Sequence, residues 1–250
     1  MPVVLLLLLA PPTTPQEAIR GFLRPDAAQQ QAGLAQLESA CTGQRRHDFR
    51  DDPRLLKALG RLRHKVAKGQ GATRRTVLMA LLRVQPCFSP GKLVTLFKPM
   101  LLDGDLELRA RTIETLATTG HVDVLPALLD RFRAGQALCL GEGLGAGDQK
   151  ICVWLAYGLG AALHQAAADA PLRTEVARAV IPWLGSPYAK VREVAVETLA
   201  TAGKAVAVDP LAALIASEQQ GRFKQGNSPA LINRFEQRLK TLRKANGGSQ

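Results

Sequence analysis

Apolar residues recur along most of this chain at helical intervals rather than strand intervals. The clearest stretch is 53–68, where Leu55, Leu59, Leu62 and Val66 follow i, i+4, i+7, i+11 and share one face. Pro53 suits a first helical turn and Gly69 an exit. The opposite face carries Arg54, Lys57, Arg61, Lys65 and Lys68. Residues 16–42 contain a second pattern in Ala32, Leu34, Leu37 and Cys41, with Pro25 and Asp26 as start signals. Further helices are predicted over 73–84, 92–102, 105–119, 122–133, 149–163, 171–184, 187–202, 208–217 and 229–244. Residues 45–52 read as a polar loop, 221–227 as another, and 134–147 as too glycine-rich to hold a helix.

One block returns. LRARTIETLATTG at 108–120 reappears as VREVAVETLATAG at 191–203, each residue 83 positions on. Arg109 falls on Arg192, Glu114 on Glu197, Leu116 on Leu199 and Gly120 on Gly203. First helices centred near Leu37, Leu81, Leu116, Leu159 and Leu199 are spaced by about 35 to 45 residues, so the offset is two periods of an internal repeat. Each unit is a helix pair that buries its apolar stripes only by stacking on its neighbours.

These residues resemble the HEAT-repeat family, in its short bacterial, PBS-lyase-like form. The resemblance rests on Asp103-Gly104-Asp105, Leu108-Arg109, Leu116, Gly120, Pro126 and Leu129, and again on Ser186-Pro187, Val191-Arg192, Leu199, Gly203, Pro210 and Leu214. It is weakest at 149–163, where Trp154, Tyr157, Gly158 and Gly160 replace the usual Arg and small residues. It implies an all-α fold: a right-handed α-α superhelix of about five helix pairs with a C-terminal capping helix, whose second helices line a concave partner-binding face. The predicted organisation is a signal-like apolar segment and Pro/Thr spacer at 1–15, a repeat domain at 16–217, and a basic loop, capping helix and frayed tail at 218–250.

Composition agrees. Hydrophobic residues make up 46% and aromatics only 4%, so the core is Leu, Val and Ala, which suits packed helices. The net charge of +12 is unevenly placed. Residues 44–75 carry 11 basic and 3 acidic groups, 218–250 carry 7 and 2, and 76–217 balance at 13 of each. The basic stripe on 53–68 is the sharpest functional feature, with Arg234 and Arg238 at a second basic pole. A basic face attracts acidic protein, phosphates or anionic lipid; the plain alternative is a solvated helix face and a polar cap.

The run MPVVLLLLLA at 1–10 is too short for a transmembrane helix but suits the apolar part of a secretory signal. Against that, no Lys or Arg precedes it and Pro11 follows at once. Export to the periplasm or cell envelope is the favoured expectation, a cytoplasmic chain with an apolar tail the other. The cysteines are Cys41, Cys87, Cys139 and Cys152, with no C-x-x-C spacing. By repeat register Cys41 and Cys87 end neighbouring first helices, while Cys139 and Cys152 bracket the glycine loop, so two disulfides are predicted; four buried thiols are the alternative.

No other chemistry stands out. GEGLGAG at 141–147 follows no strand and fails both phosphate-loop patterns. His47, His64, His121 and His164 have no metal-site spacing, and no cofactor or metal is expected. Glu114 and Glu197 suggest a repeated surface role rather than an acid/base pair. The leading expectation is a non-enzymatic scaffold that binds another protein, possibly acidic. The alternatives are a nucleic-acid-binding protein using the basic helix 53–68, including the HEAT-like DNA alkylpurine glycosylase type, although the only tryptophans, Trp154 and Trp183, do not lie in that type's context, and a bilin-lyase-like cofactor-attachment partner.

Overall fold

The computed structural model describes residues 12, 14–69, 71–167, 170–223 and 225–247. The predicted signal segment and the last three residues of the tail lie outside them. The chain is all-α, with no strand among the described residues. Its packing divides it into two units, Met1–Lys98 and Pro99–Gln250.

In the first unit, α1 (Pro15–Phe22) and α2 (Ala27–Thr42) cross so closely that a Cβ on Gly33 would lie 2.4 Å from the Gly21 carbonyl carbon. Helix α1 begins at the end of the expected spacer and lies within the 16–42 stretch, ahead of the Pro25 and Asp26 start signals, where no separate helix was expected. Thr14 caps it, accepting from the Glu17 amide, while Glu17 returns to the Thr14 amide. The expected loop at 45–52 contains a helical turn, α3 (Arg46–Phe49), because Phe49 is fully buried and anchors it. Then come α4 (Pro53–Ala67), α5 (Gly71–Leu82) and α6 (Pro90–Phe97). Helix α2 lies beside α5, α4 lies beside α6, and α1 packs on both α2 and α4. Helix α4 thus belongs to a second-helix layer.

The second unit stacks three helix pairs and a last helix. The pairs are α7 (Leu106–Ala117) with α8 (Leu125–Ala134), α10 (Ala146–Leu163) with α11 (Pro171–Val180), and α12 (Ala189–Ala202) with α13 (Val208–Gln219); α14 (Pro229–Ala245) closes the row. Helices α7, α10, α12 and α14 lie side by side, and α8 touches α11 behind them. Leu116 and Leu199 are fully buried, and Gly120 and Gly203 turn the chain with φ of +57° and +67°, which a side chain resists.

Two departures from the sequence expectation have clear causes. Within 134–147 a short helix, α9 (Gln136–Leu140), forms because the glycines sit at its edges, leaving QALCL free of them. Helix α10 breaks the repeat pattern because it packs tightly on both sides. A Cβ on Gly158 would lie 2.6 Å from Ala117 Cβ, and one on Gly160 3.0 Å from Thr198 Oγ1. Thr198 Oγ1 also donates to the Ala156 carbonyl at 2.8 Å, tying α12 to α10.

Arg173 is a framework residue with no signal in the repeat. It donates to the carbonyls of Leu163 (2.7 Å), Ala166 (2.9 Å), Ala167 (2.9 Å) and Thr201, satisfying acceptors at the ends of α10 and α12.

Candidate anion-binding face

Charge follows the division of the chain. Residues 1–98 carry 16 basic and 6 acidic groups, net +10; residues 99–250 carry 17 and 15, net +2. Four of the six acids of the first unit, Glu17, Asp26, Asp51 and Asp52, are engaged with backbone amides. Glu17 closes the α1 capping box, Asp26 caps α2 through the Gln29 amide, and Asp51 accepts from the Ser89 amide at 2.8 Å. Asp52 caps α4, accepting from the Arg54 and Leu55 amides, both at 2.9 Å. Burial works to raise its pKa. The Arg54 side chain, the Leu55 and Arg54 amides and the Arg54 charge outweigh burial and hold it below the ordinary aspartate value.

Helix α4 turns Leu55, Ala58, Leu59 and Leu62 inward. Arg54, Lys57, Arg61, Lys65 and Lys68 are all exposed, as is His64 beside them. From Arg54 to Lys68 the stripe runs about 21 Å at the helical rise. Arg54 is held by Asp52 at 3.1 Å; among the described residues Lys57, Arg61, Lys65 and Lys68 have no carboxylate within ion-pair distance. Arg45, Arg46 and Arg50, just before the helix, are exposed as well. One arginine in the same run behaves differently: Arg63 turns inward and donates to the Leu96 carbonyl at 2.6 Å, tying α4 to α6, and burial lowers its pKa.

The second basic pole is arranged otherwise. Arg238 pairs with Glu197 at 2.7 Å and Arg234 approaches Glu193 at 3.8 Å, so both fasten α14 to α12. The repeated glutamates have a common task. Glu114 meets Lys150 of α10 at 3.7 Å, as Glu197 meets Arg238 of α14, so each links a first helix to the next.

The repeated arginines also correspond. Arg109 and Arg192 each donate to the carbonyl six residues earlier, Asp103 at 3.3 Å and Ser186 at 2.6 Å. Arg192 is fully buried. It also binds Glu218 at 2.7 Å, donates to the Gln225 carbonyl, and lies 3.8 Å from the centre of the Phe223 ring.

The four cysteines form two disulfides, Cys41–Cys87 with Cα atoms 5.0 Å apart and Cys139–Cys152 with 5.8 Å. The second joins α9 to α10 across the glycine loop, and that loop is held further by Tyr188, whose hydroxyl accepts from the Leu144 amide. Trp183 is fully buried against Phe132, with ring centroids 3.8 Å apart, so it is unavailable to a base; Trp154 is half-buried, edge-on to Tyr157.

The fold and this surface define a class: a helical protein of stacked pairs whose first unit carries most of the net positive charge. No family model matches the chain, and no curated protein matches it. Among solved structures it is similar to the complex of CpcE and CpcF of phycocyanin lyase from Nostoc sp. PCC7120, at 15% identity and a TM-score of 0.41, over 94% of this chain and 96% of that one. No helix among the described residues is long and apolar enough to cross a membrane.

Proposed function

We propose that this chain is a HEAT-like scaffold that binds an acidic protein through the α4 face of its first unit, with no catalytic step of its own. The observation that carries this is the row Lys57, Arg61, Lys65 and Lys68, exposed and without carboxylate partners, in a unit where four of the six acids are engaged with amides. Cations held in a row on a rigid helix raise the local concentration of an anionic partner and speed its approach. Two disulfides support an oxidising compartment such as the cell envelope, where competition from nucleic acid is absent. The bilin-lyase-like alternative draws on no residue of this surface.

The test compares wild type with the variant Lys57→Gln, Arg61→Gln, Lys65→Gln, Lys68→Gln. Binding to a glutamate-rich polypeptide and to random-sequence duplex DNA is titrated at two salt concentrations. The expected result is polypeptide binding that falls with salt and drops at least about tenfold in the variant. Equal binding by the two proteins would end the proposal. Tighter binding to DNA, with a steep salt slope, would replace it by the nucleic-acid reading.

A further inference from the structure

We propose that Arg109 and Arg131, in the second unit, form a docking site for a carboxylate presented by a partner protein. The inference comes from comparing the chain with itself. In the later repeat Arg192 has an internal anion, Glu218, bonded to its Nε. Eighty-three residues earlier, the position of Glu218 is Gly135, so the earlier repeat lacks that carboxylate. The position of Leu214 is instead Arg131, a second guanidinium.

Arg109 keeps its bond to the Asp103 carbonyl and a long ion pair with Asp148, but one nitrogen of each arginine is left over. Arg109 Nε and Arg131 Nε are both buried and both without a hydrogen-bond partner. Among the described residues the Arg131 side chain makes no hydrogen bond or ion pair, and the carboxylate that Arg109 reaches, Asp148, is 3.9 Å away. Arg131, in α8, lies one helical turn before Gly135, the position from which the later repeat reaches its arginine, and burial first, then the charge of Arg109, lowers its pKa. Both side chains remain partly accessible. A carboxylate offers two acceptor oxygens that match the fork of a guanidinium, and its charge offsets theirs. The sister site uses that same group, which favours a carboxylate over phosphate.

The site shares no residue with the α4 face and is tested separately. The probe is glutarate, titrated into the full-length protein labelled with 15N at arginine, at fixed ionic strength. The Nε–Hε resonances of Arg109 and Arg131, assigned with Arg109→Gln and Arg131→Leu, are expected to shift and saturate. Arg131→Leu, which places the later repeat's residue at this position, is expected to fold and to weaken the Arg109 response about tenfold. The α4 quadruple variant is expected to keep the full response. The site is overturned if neither resonance saturates, if Arg131→Leu responds like wild type, if the α4 variant loses the shift, or if inorganic phosphate shifts both resonances and glutarate does not.

Discussion

Arg192 and Glu218 meet at 2.7 Å with both side chains sealed from solvent. Glu218 also accepts from the Asn227 amide at 3.0 Å and its side-chain nitrogen at 2.6 Å, so the pair fastens the 221–227 loop to α12 and α13. Glu218→Ala strands a buried guanidinium and is expected to cost about 3–5 kcal/mol in urea unfolding. Replacing Arg192 by Met as well removes the stranded charge, so the double variant is expected to be more stable than Glu218→Ala alone.

Two glycines within helices have opposite expected responses. Gly158→Ala drives a methyl against Ala117 and is expected to cost about 1–3 kcal/mol. Gly60, inside α4, has nothing within 4 Å of a built Cβ, so Gly60→Ala is expected to add about 0.5–1 kcal/mol by helix propensity. Chemical denaturation of both variants gives the two signs.

Acid acts on α4 through Asp52. Its pKa is lower in the folded chain than in the unfolded one, so the unfolded state binds the proton first as pH falls. The stabilisation is complete above the ordinary aspartate pKa and is lost as pH drops through the lowered native value. Melting temperature against pH is expected to fall less steeply in that acid window for Asp52→Asn than for wild type. Near neutral pH, Asp52→Ala is expected to cost about 1 kcal/mol of cap.

The disulfides differ in the chain they close. Cys41 and Cys87 are 46 residues apart and Cys139 and Cys152 are 13 apart, which corresponds to about 4 and 3 kcal/mol of loop entropy. Replacing the first pair by serine is expected to lower the melting temperature more than replacing the second. Thiol titration of denatured, unreduced protein is expected to find no free cysteine.

The helices were legible where apolar spacing was regular, as at Leu55, Leu59 and Leu62 of α4, or where the repeat doubled the signal, as at Leu116 and Leu199. Helix α1 was marked by a capping box, Thr14 to Glu17, rather than by a long stripe. Short α9 was masked by the glycines flanking it. The α4 cations were legible as a stripe, because a helix period alone puts them on one face. The separate course of Arg63 was not, since nothing local distinguishes a guanidinium that finds a carbonyl 33 residues away. The contrast between Arg109 and Arg192 was hidden in their identity; it lies in Gly135 and Glu218, outside the matching block.

Four acids of the first unit, Glu17, Asp26, Asp51 and Asp52, are anchored to the peptide backbone, and this constrains how the protein can vary. A substitution that removes Asp26, Asp51 or Asp52 makes the surface more basic but also loosens a helix end. Lys57, Arg61, Lys65 and Lys68, by contrast, have no carboxylate partner and hold up nothing beneath them. Charge at these four positions can therefore be changed one residue at a time while the fold stays intact, and drift in this region should run toward lost or regained positive charge.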